Sequence, residues 1–163
     1  MNWKMIAFAA TLVVGCGKKK EPEHAAAPGP QIESSIGLVD VNRKSDPEGP
    51  DQRWINAPVE LKNNLAGAIT VNKIEWQIGV GGQDLGKNAK EFNEQIAAGA
   101  TGKFLLTNTF TWSDDRALSE DKAHVTGTIT WTGPKGNTNT TPLDVTGSIK
   151  DDAAANIAKP EGE

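Results

Sequence analysis

Ile74-Glu75-Trp76-Gln77-Ile78-Gly79-Val80 decides the fold class. Its even positions hold Ile, Trp, Ile and Val, and its odd positions hold Glu, Gln and Gly. Period-two alternation puts the first set on a dry face and the second on a wet one, as a half-buried β-strand does. Upstream, Ile69 and Val71 are apolar in the opposite phase. That phase change predicts a bulge or face switch at Asn72-Lys73. Downstream, Gly81-Gly82 fits a tight hairpin turn that needs positive φ. The returning segment, about Gln83 to Phe92, is polar and carries lysines, the composition of an edge strand.

Further out the pattern repeats. A first strand is expected around Ser35 to Asn42, then a loop from Arg43 to Gln52 containing Pro47 and Pro50. A second strand runs from Trp54 to Asn63, with Val59 and Leu61 inward and Glu60 and Lys62 outward. Pro58 has no ladder donor, so it requires a bulge or an edge. In Gly102 to Trp112, Phe104, Leu106, Phe110 and Trp112 share one parity. Ser113 to Ala123 has the capping residue and early acids of a short helical turn. From His124 to Thr132, Val125, Gly127, Ile129 and Trp131 face in while Thr126, Thr128, Thr130 and Thr132 face out. Gly133-Pro134-Lys135-Gly136 reads as a turn. The return strand sets Leu143, Val145, Gly147 and Ile149 on one face, and Pro142 is tolerated near its start. About seven strands predict an all-β, immunoglobulin-like or fibronectin-like antiparallel β-sandwich over residues 31–150. A domain of this size buries roughly two-thirds of its unfolded surface and folds without a disulfide. Trp54, Trp76, Trp112, Trp131, Phe104 and Phe110 are the expected aromatic core. An aromatic binding cleft is the alternative, but most of these positions lie in phase with aliphatic neighbours.

The ends of the chain read differently. Lys4 precedes an apolar run, Met5 to Val14, that is half the roughly twenty residues a spanning helix needs. The run ends in Val13-Val14-Gly15-Cys16, which resembles the bacterial lipoprotein signal, the lipobox. That resemblance implies a signal peptide over 1–15, cleavage before Cys16, lipid on Cys16 and attachment to a membrane. Gly17 stands where an Asp resembles an inner-membrane retention signal, so the outer membrane is favoured. Residues 16–30 have three prolines and no large apolar side chain, and read as a disordered tether. Lys18-Lys19-Lys20 within it would attract anionic head groups or simply be solvated. Residues 151–163 are Ala-rich and acidic and read as a flexible tail.

Little catalytic chemistry is on offer. The single cysteine excludes an intramolecular disulfide and, in the body of the protein, a thiolate metal cluster or catalytic thiol. The net charge is −4 with acids and bases mixed, so no basic stripe exists for nucleic acid. Asp40, Asn42, Asp46, Glu48 and Asp51 fall at spacings like those of a calcium loop, yet Lys44 and Ser45 stand where a ligand and a glycine are required. Asp114 and Asp115 are adjacent, whereas paired catalytic carboxylates face each other across a cleft. His24 lies in the tether and His124 at a strand start, with no partner type beside either. The expectation is therefore a non-enzyme with no cofactor and no metal.

Several of these stretches together resemble a known family. Val59-Glu60-Leu61-Lys62-Asn63, Ile69-Thr70-Val71, Trp76-Gln77-Ile78-Gly79-Val80 and Ile96-Ala97-Ala98-Gly99 look like the folded late-embryogenesis-abundant type 2 family, also called the water-stress and hypersensitive-response (WHy) domain. Val125-Thr126-Gly127-Thr128-Ile129, and Thr141-Pro142-Leu143 with Gly147, are similar to its closing hairpin. Asn64 stands where the family commonly has proline, and the chain has no tyrosine. The resemblance implies an immunoglobulin-like sandwich, a link to desiccation stress and no catalytic residues. The resulting expectation is a lipid-anchored envelope protein whose domain binds a partner or protects against stress. The alternative is a structural accessory subunit of an envelope complex, joined to a protein partner by strand addition at an exposed sheet edge.

Overall fold

The computed structural model describes residues 29–44, 52–111 and 122–150. The expected signal peptide, Cys16, the tether up to residue 28, most of the 43–52 loop, Trp112, the 113–121 turn and the acidic tail lie outside these residues. Eight strands are present: β1 (Ile32–Ile36), β2 (Asp40–Lys44), β3 (Gln52–Asn63), β4 (Ile69–Val80), β5 (Gln83–Ile96), β6 (Thr101–Thr111), β7 (Lys122–Thr132) and β8 (Thr138–Ser148). All strand pairs are antiparallel. One four-stranded sheet has β3 at its centre, with β6 on one side and β1 and β2 in succession on the other. The second has the order β5-β4-β7-β8. The two enclose a core that includes Ile55, Val59, Leu61, Ile74, Trp76, Ile78, Phe104, Leu106, Ile129 and Trp131.

The alternation around Trp76 sets the second sheet. Ile74, Trp76, Ile78 and Val80 are all buried. Val71 and Ile74 are buried as well, and the register shifts between Val71 and Lys73 against both neighbouring strands. The expected bulge is there. It turns Asn72 and Lys73 out together, and Asn72 Nδ2 donates to Thr132 Oγ1 at 2.8 Å. Gly81 and Gly82 make the hairpin turn at φ 57° and 75°. β5 is an edge strand as its composition predicts, with positive φ at Gly86 and Asn93.

Two readings need correction. The first strand is not continuous: β1 ends at Ile36, β2 starts at Asp40, and both pair with β3. Pro58 explains the break and its own place in a central strand. Its carbonyl accepts from Gly37 N at 2.9 Å, so it faces the β1/β2 side. The N and C=O of one strand residue face the same side, so the missing donor of Pro58 points at the gap between β1 and β2, where no ladder bond is lost. In that gap Val39 leaves β3 and forms a parallel bridge with Ile149. Val39 N donates to Ser148 O and Lys150 N to Val39 O, at 2.9 and 3.0 Å. The second correction concerns Trp54. β3 alternates without a break, so the phase that buries Val59 and Leu61 turns Trp54 outward, where it is half-buried. Arg53 takes the inward position and is wholly buried.

Apart from residues 37–39, which cross beside Pro58, the described connections lie at one of two ends. Residues 29–31, 64–68, 97–100 and 133–137 lie together at the end where residues 1–28 join. The Gly81-Gly82 hairpin lies at the other end. There, Lys44 pairs with Gln52 and Gln52 with Thr111.

Candidate functional site

Three surfaces have the residues to bind something. The first is the end joined to residues 1–28. Its loops converge on Asn63, a buried side chain at the last position of β3. Asn63 Nδ2 donates to the carbonyls of Gly67, Ile96 and Ala97 at 2.9, 3.2 and 3.1 Å, and Oδ1 accepts from Leu65 N at 3.0 Å. Its backbone bonds Ala100 O and Gly99 N. One amide thus joins the 64–68 turn to the 97–100 turn across the two sheets. Gly67 completes the assembly: a Cβ there would lie 2.6 Å from Pro134 Cγ, so the 64–68 and 133–137 loops also touch. Asn64 N donates to Gln31 O at 3.0 Å and Asn64 Nδ2 to Pro30 O at 3.1 Å. These bonds seat the start of β1 and use the N–H that a proline at 64 would lack.

The second surface is the outer face of the β5-β4-β7-β8 sheet. Two shallow hollows of about 520 and 450 Å³ share Gln77 and Thr126 and form one trough. Lys87, Glu75 and Thr128 line one part, and Asp84, Lys122, His124 and Thr146 the other. Register explains the hollow: Gly79 stands between Asp84 and His124 in one cross-strand row, so that row has no side chain at its centre. His124 Nε2 lies 2.7 Å from Asp144 Oδ1, a partner the sequence does not place beside it. The two are diagonal on β7 and β8, since Asp144 is opposite Thr126. A carboxylate on an imidazole is half of a general-base arrangement, but that chemistry needs a nucleophile held on the ring and a site closed to water. Here the side chains are 53% and 75% exposed, and His124 faces Gly79 and Thr146 in register.

The third surface is on the other sheet. Leu38 and Leu105 are 60% and 56% exposed. Leu105 is the direct partner of Pro58, and Leu38 follows Gly37, which is bonded to Pro58. The three make a small apolar row beside the β1/β2 gap. The sheet edges, by contrast, are guarded. Ser148 O reaches outward to Val39, so by alternation Pro142 also turns its nitrogen to the open side of β8. Asn88 Nδ2 donates to Thr107 O at 3.1 Å and Asn108 Nδ2 to Gly86 O, so amides close the gap between β5 and β6.

No family model matches the chain, and no curated protein matches it. Solved structures do. A structural-genomics target protein superposes with a TM-score of 0.51 at 12% identity, covering 80% of this chain and 89% of its own. A protein of Arabidopsis thaliana superposes with a TM-score of 0.52 at 18% identity, covering 71% of this chain and 80% of its own. A candidate late embryogenesis abundant protein is also among the neighbours, at 17% identity and a TM-score of 0.48, covering 74% of this chain and 71% of its own. At these identities the likeness to the first two is one of fold alone.

Proposed function

We propose that the chain is a lipid-anchored protein of a bacterial envelope, with a type 2 late-embryogenesis-abundant (WHy-like) domain that works by contact and not by turnover. The observation that carries the reading is Val13-Val14-Gly15-Cys16, in which the chain's one cysteine follows an apolar run at the lipobox position. Three acyl chains on Cys16 would supply more than the two signals stable attachment needs. The stretches Val59-Glu60-Leu61-Lys62-Asn63 and Trp76-Gln77-Ile78-Gly79-Val80, which resemble that family, support the domain assignment. The open His124–Asp144 pair supports a binding role over a catalytic one. The test is a Cys16→Ser protein in carbonate-washed membranes: the wild type stays with the pellet and the variant moves to the supernatant. A variant that stays with the pellet overturns the anchor.

One observation favours a second reading, an accessory subunit of an envelope complex. It is the exposed row of Leu38, Pro58 and Leu105, an apolar contact point on the same outer face as the half-buried Trp54. Crosslinking in cells separates the two. Reproducible capture of one envelope protein, lost in Leu105→Glu, supports the subunit. Protection of a test enzyme through drying, unchanged in Leu105→Glu, supports the stress role.

A further inference from the structure

Three tryptophans lie among the described residues, and the protein uses the indole N–H of two. Trp76 Nε1 donates to Asn108 Oδ1 at 2.9 Å and Trp131 Nε1 to Thr141 Oγ1 at 3.0 Å. Trp54 Nε1 has no partner among the described residues, and it is not sealed from solvent. Register sets its surroundings. Trp54 stands between Asn42 on β2 and Thr109 on β6 in one cross-strand row on the outer face. Partners in such a row are about 5 Å apart, so the indole has an amide on one side and a hydroxyl on the other. Asn42 and Thr109 are exposed, and neither side chain is hydrogen-bonded among the described residues. The next row towards Pro58, about 6.6 Å along the strand, sets Asn56 between Asp40 and Thr107. Thr107 Oγ1 donates to Asn56 Oδ1 at 2.9 Å, which leaves Asn56 Nδ2 as a further unused donor. Asp40 is held by Lys150 Nζ at 3.5 Å. This polar row separates Trp54 from the apolar row of Leu38, Pro58 and Leu105.

We propose that the Trp54 row is a binding site for an uncharged glycan chain. A hexose ring has C–H groups on its face, and their slight positive charge suits the negative face of an indole. Its rim carries hydroxyls, each both donor and acceptor, which match the unused groups of Trp54, Asn42, Asn56 and Thr109. An apolar protein partner fits less well, because it would cover those groups and leave them unpaired. An anionic glycan gains nothing extra, since the Trp54 row carries no charge. The indole is held by a central strand, so little side-chain freedom is lost on binding. The site lies wholly within the sandwich and does not depend on lipid at Cys16.

Proton–nitrogen correlation spectra of the full-length chain read the site, with cellotetraose and tetra-N-acetylchitotetraose as probes. Loss of a peak in Trp54→Phe identifies the Trp54 indole. That signal and the amides of Asn42, Asn56 and Thr109 should shift and saturate with at least one probe, while the indoles of Trp76 and Trp131 stay in place. Trp54→Ala should weaken binding by more than about tenfold. Asn42→Ala changes an exposed side chain, so it should keep the melting temperature and weaken binding severalfold. No saturable shift with either probe overturns the inference. So does a shift that survives Trp54→Ala, or one centred on the Gln77–Thr126 trough. A concentration-dependent dimer abolished by Trp54→Ala would make the row a protein contact and overturn it too. If Trp54→Ala does not fold, Asn42→Ala decides alone, and unchanged binding in that variant overturns the inference.

Discussion

Gly127 has no room for a methyl group. A Cβ there would lie 1.9 Å from the carbonyl oxygen of Glu75 and 2.9 Å from Trp76 Cα, both backbone atoms of the central strand. Gly127→Ala should therefore part β4 from β7 and cost about 2–3 kcal/mol in denaturant unfolding. A loss below about 0.5 kcal/mol, the range of an ordinary surface change, would show that the strands can shift. Trp76, opposite it, is only 4% exposed, and Nε1 donates to Asn108 Oδ1 at 2.9 Å. Trp76→Ala should cost about 3–5 kcal/mol. Asn108→Ala removes no large apolar surface but strands Trp76 Nε1 and the Gly86 carbonyl, and should still cost roughly 2–4 kcal/mol. Trp76 is legible in the sequence because Ile74 and Ile78 share its phase. Asn108 is not. A polar residue between Leu106 and Phe110 fits a solvated flaw or a buried bridge equally well, and only the position of Trp76 across the core decides.

At the scale of the element, Asn63 ends β3 and governs two turns. Asn63→Asp keeps its shape, removes the donors to Gly67, Ile96 and Ala97, and places a carboxyl group among three carbonyl oxygens. The charged form is disfavoured there, so the folded pKa of this carboxyl should lie above its unfolded value. A raised carboxyl pKa means that stability is lost as pH rises through the unfolded value and the folded one above it. The variant should thus sit closest to wild type near pH 3–4 and be worst at pH 7, by roughly 2–4 kcal/mol. A penalty independent of pH would mean that the three carbonyls do not confine the group. The elements themselves were readable wherever a run alternates over six or more residues, as in β4, β7 and β8. β1 and β2 were not separable, because Ile36, Leu38 and Val39 give no clean phase and the break between them answers to Pro58, a residue of another strand. Trp54 shows the opposite failing. Its aromatic character argued for the core, while the parity of its own strand, already set by Val59 and Leu61, argued for the outside.

For the whole molecule, two sheets and a shared core should make residues 29–150 a cooperative β unit. Circular dichroism should show strand and no helical signature, and chelator should not move the melting temperature. A melting temperature that falls on adding chelator would mean that the unit holds a metal. The candidate surfaces were less legible than the fold. The trough needs the lateral register that sets Gly79 beside His124, and the pairing of His124 with Asp144 needs β8 beside β7. The bridge between Val39 and Ile149 sets the order in which the molecule can be finished. Its two partners are separated by most of the domain, and closing so long a loop is among the slowest steps available to such a chain. A polypeptide delivered N-terminus first through a narrow passage can pair β1 and β2 with β3 early, but cannot close Val39 onto Ile149 until nearly the last residues of the domain have emerged. Ending the chain at Gly147 would leave it a thread without its clasp, and such a protein should be digested by protease long before the full-length one.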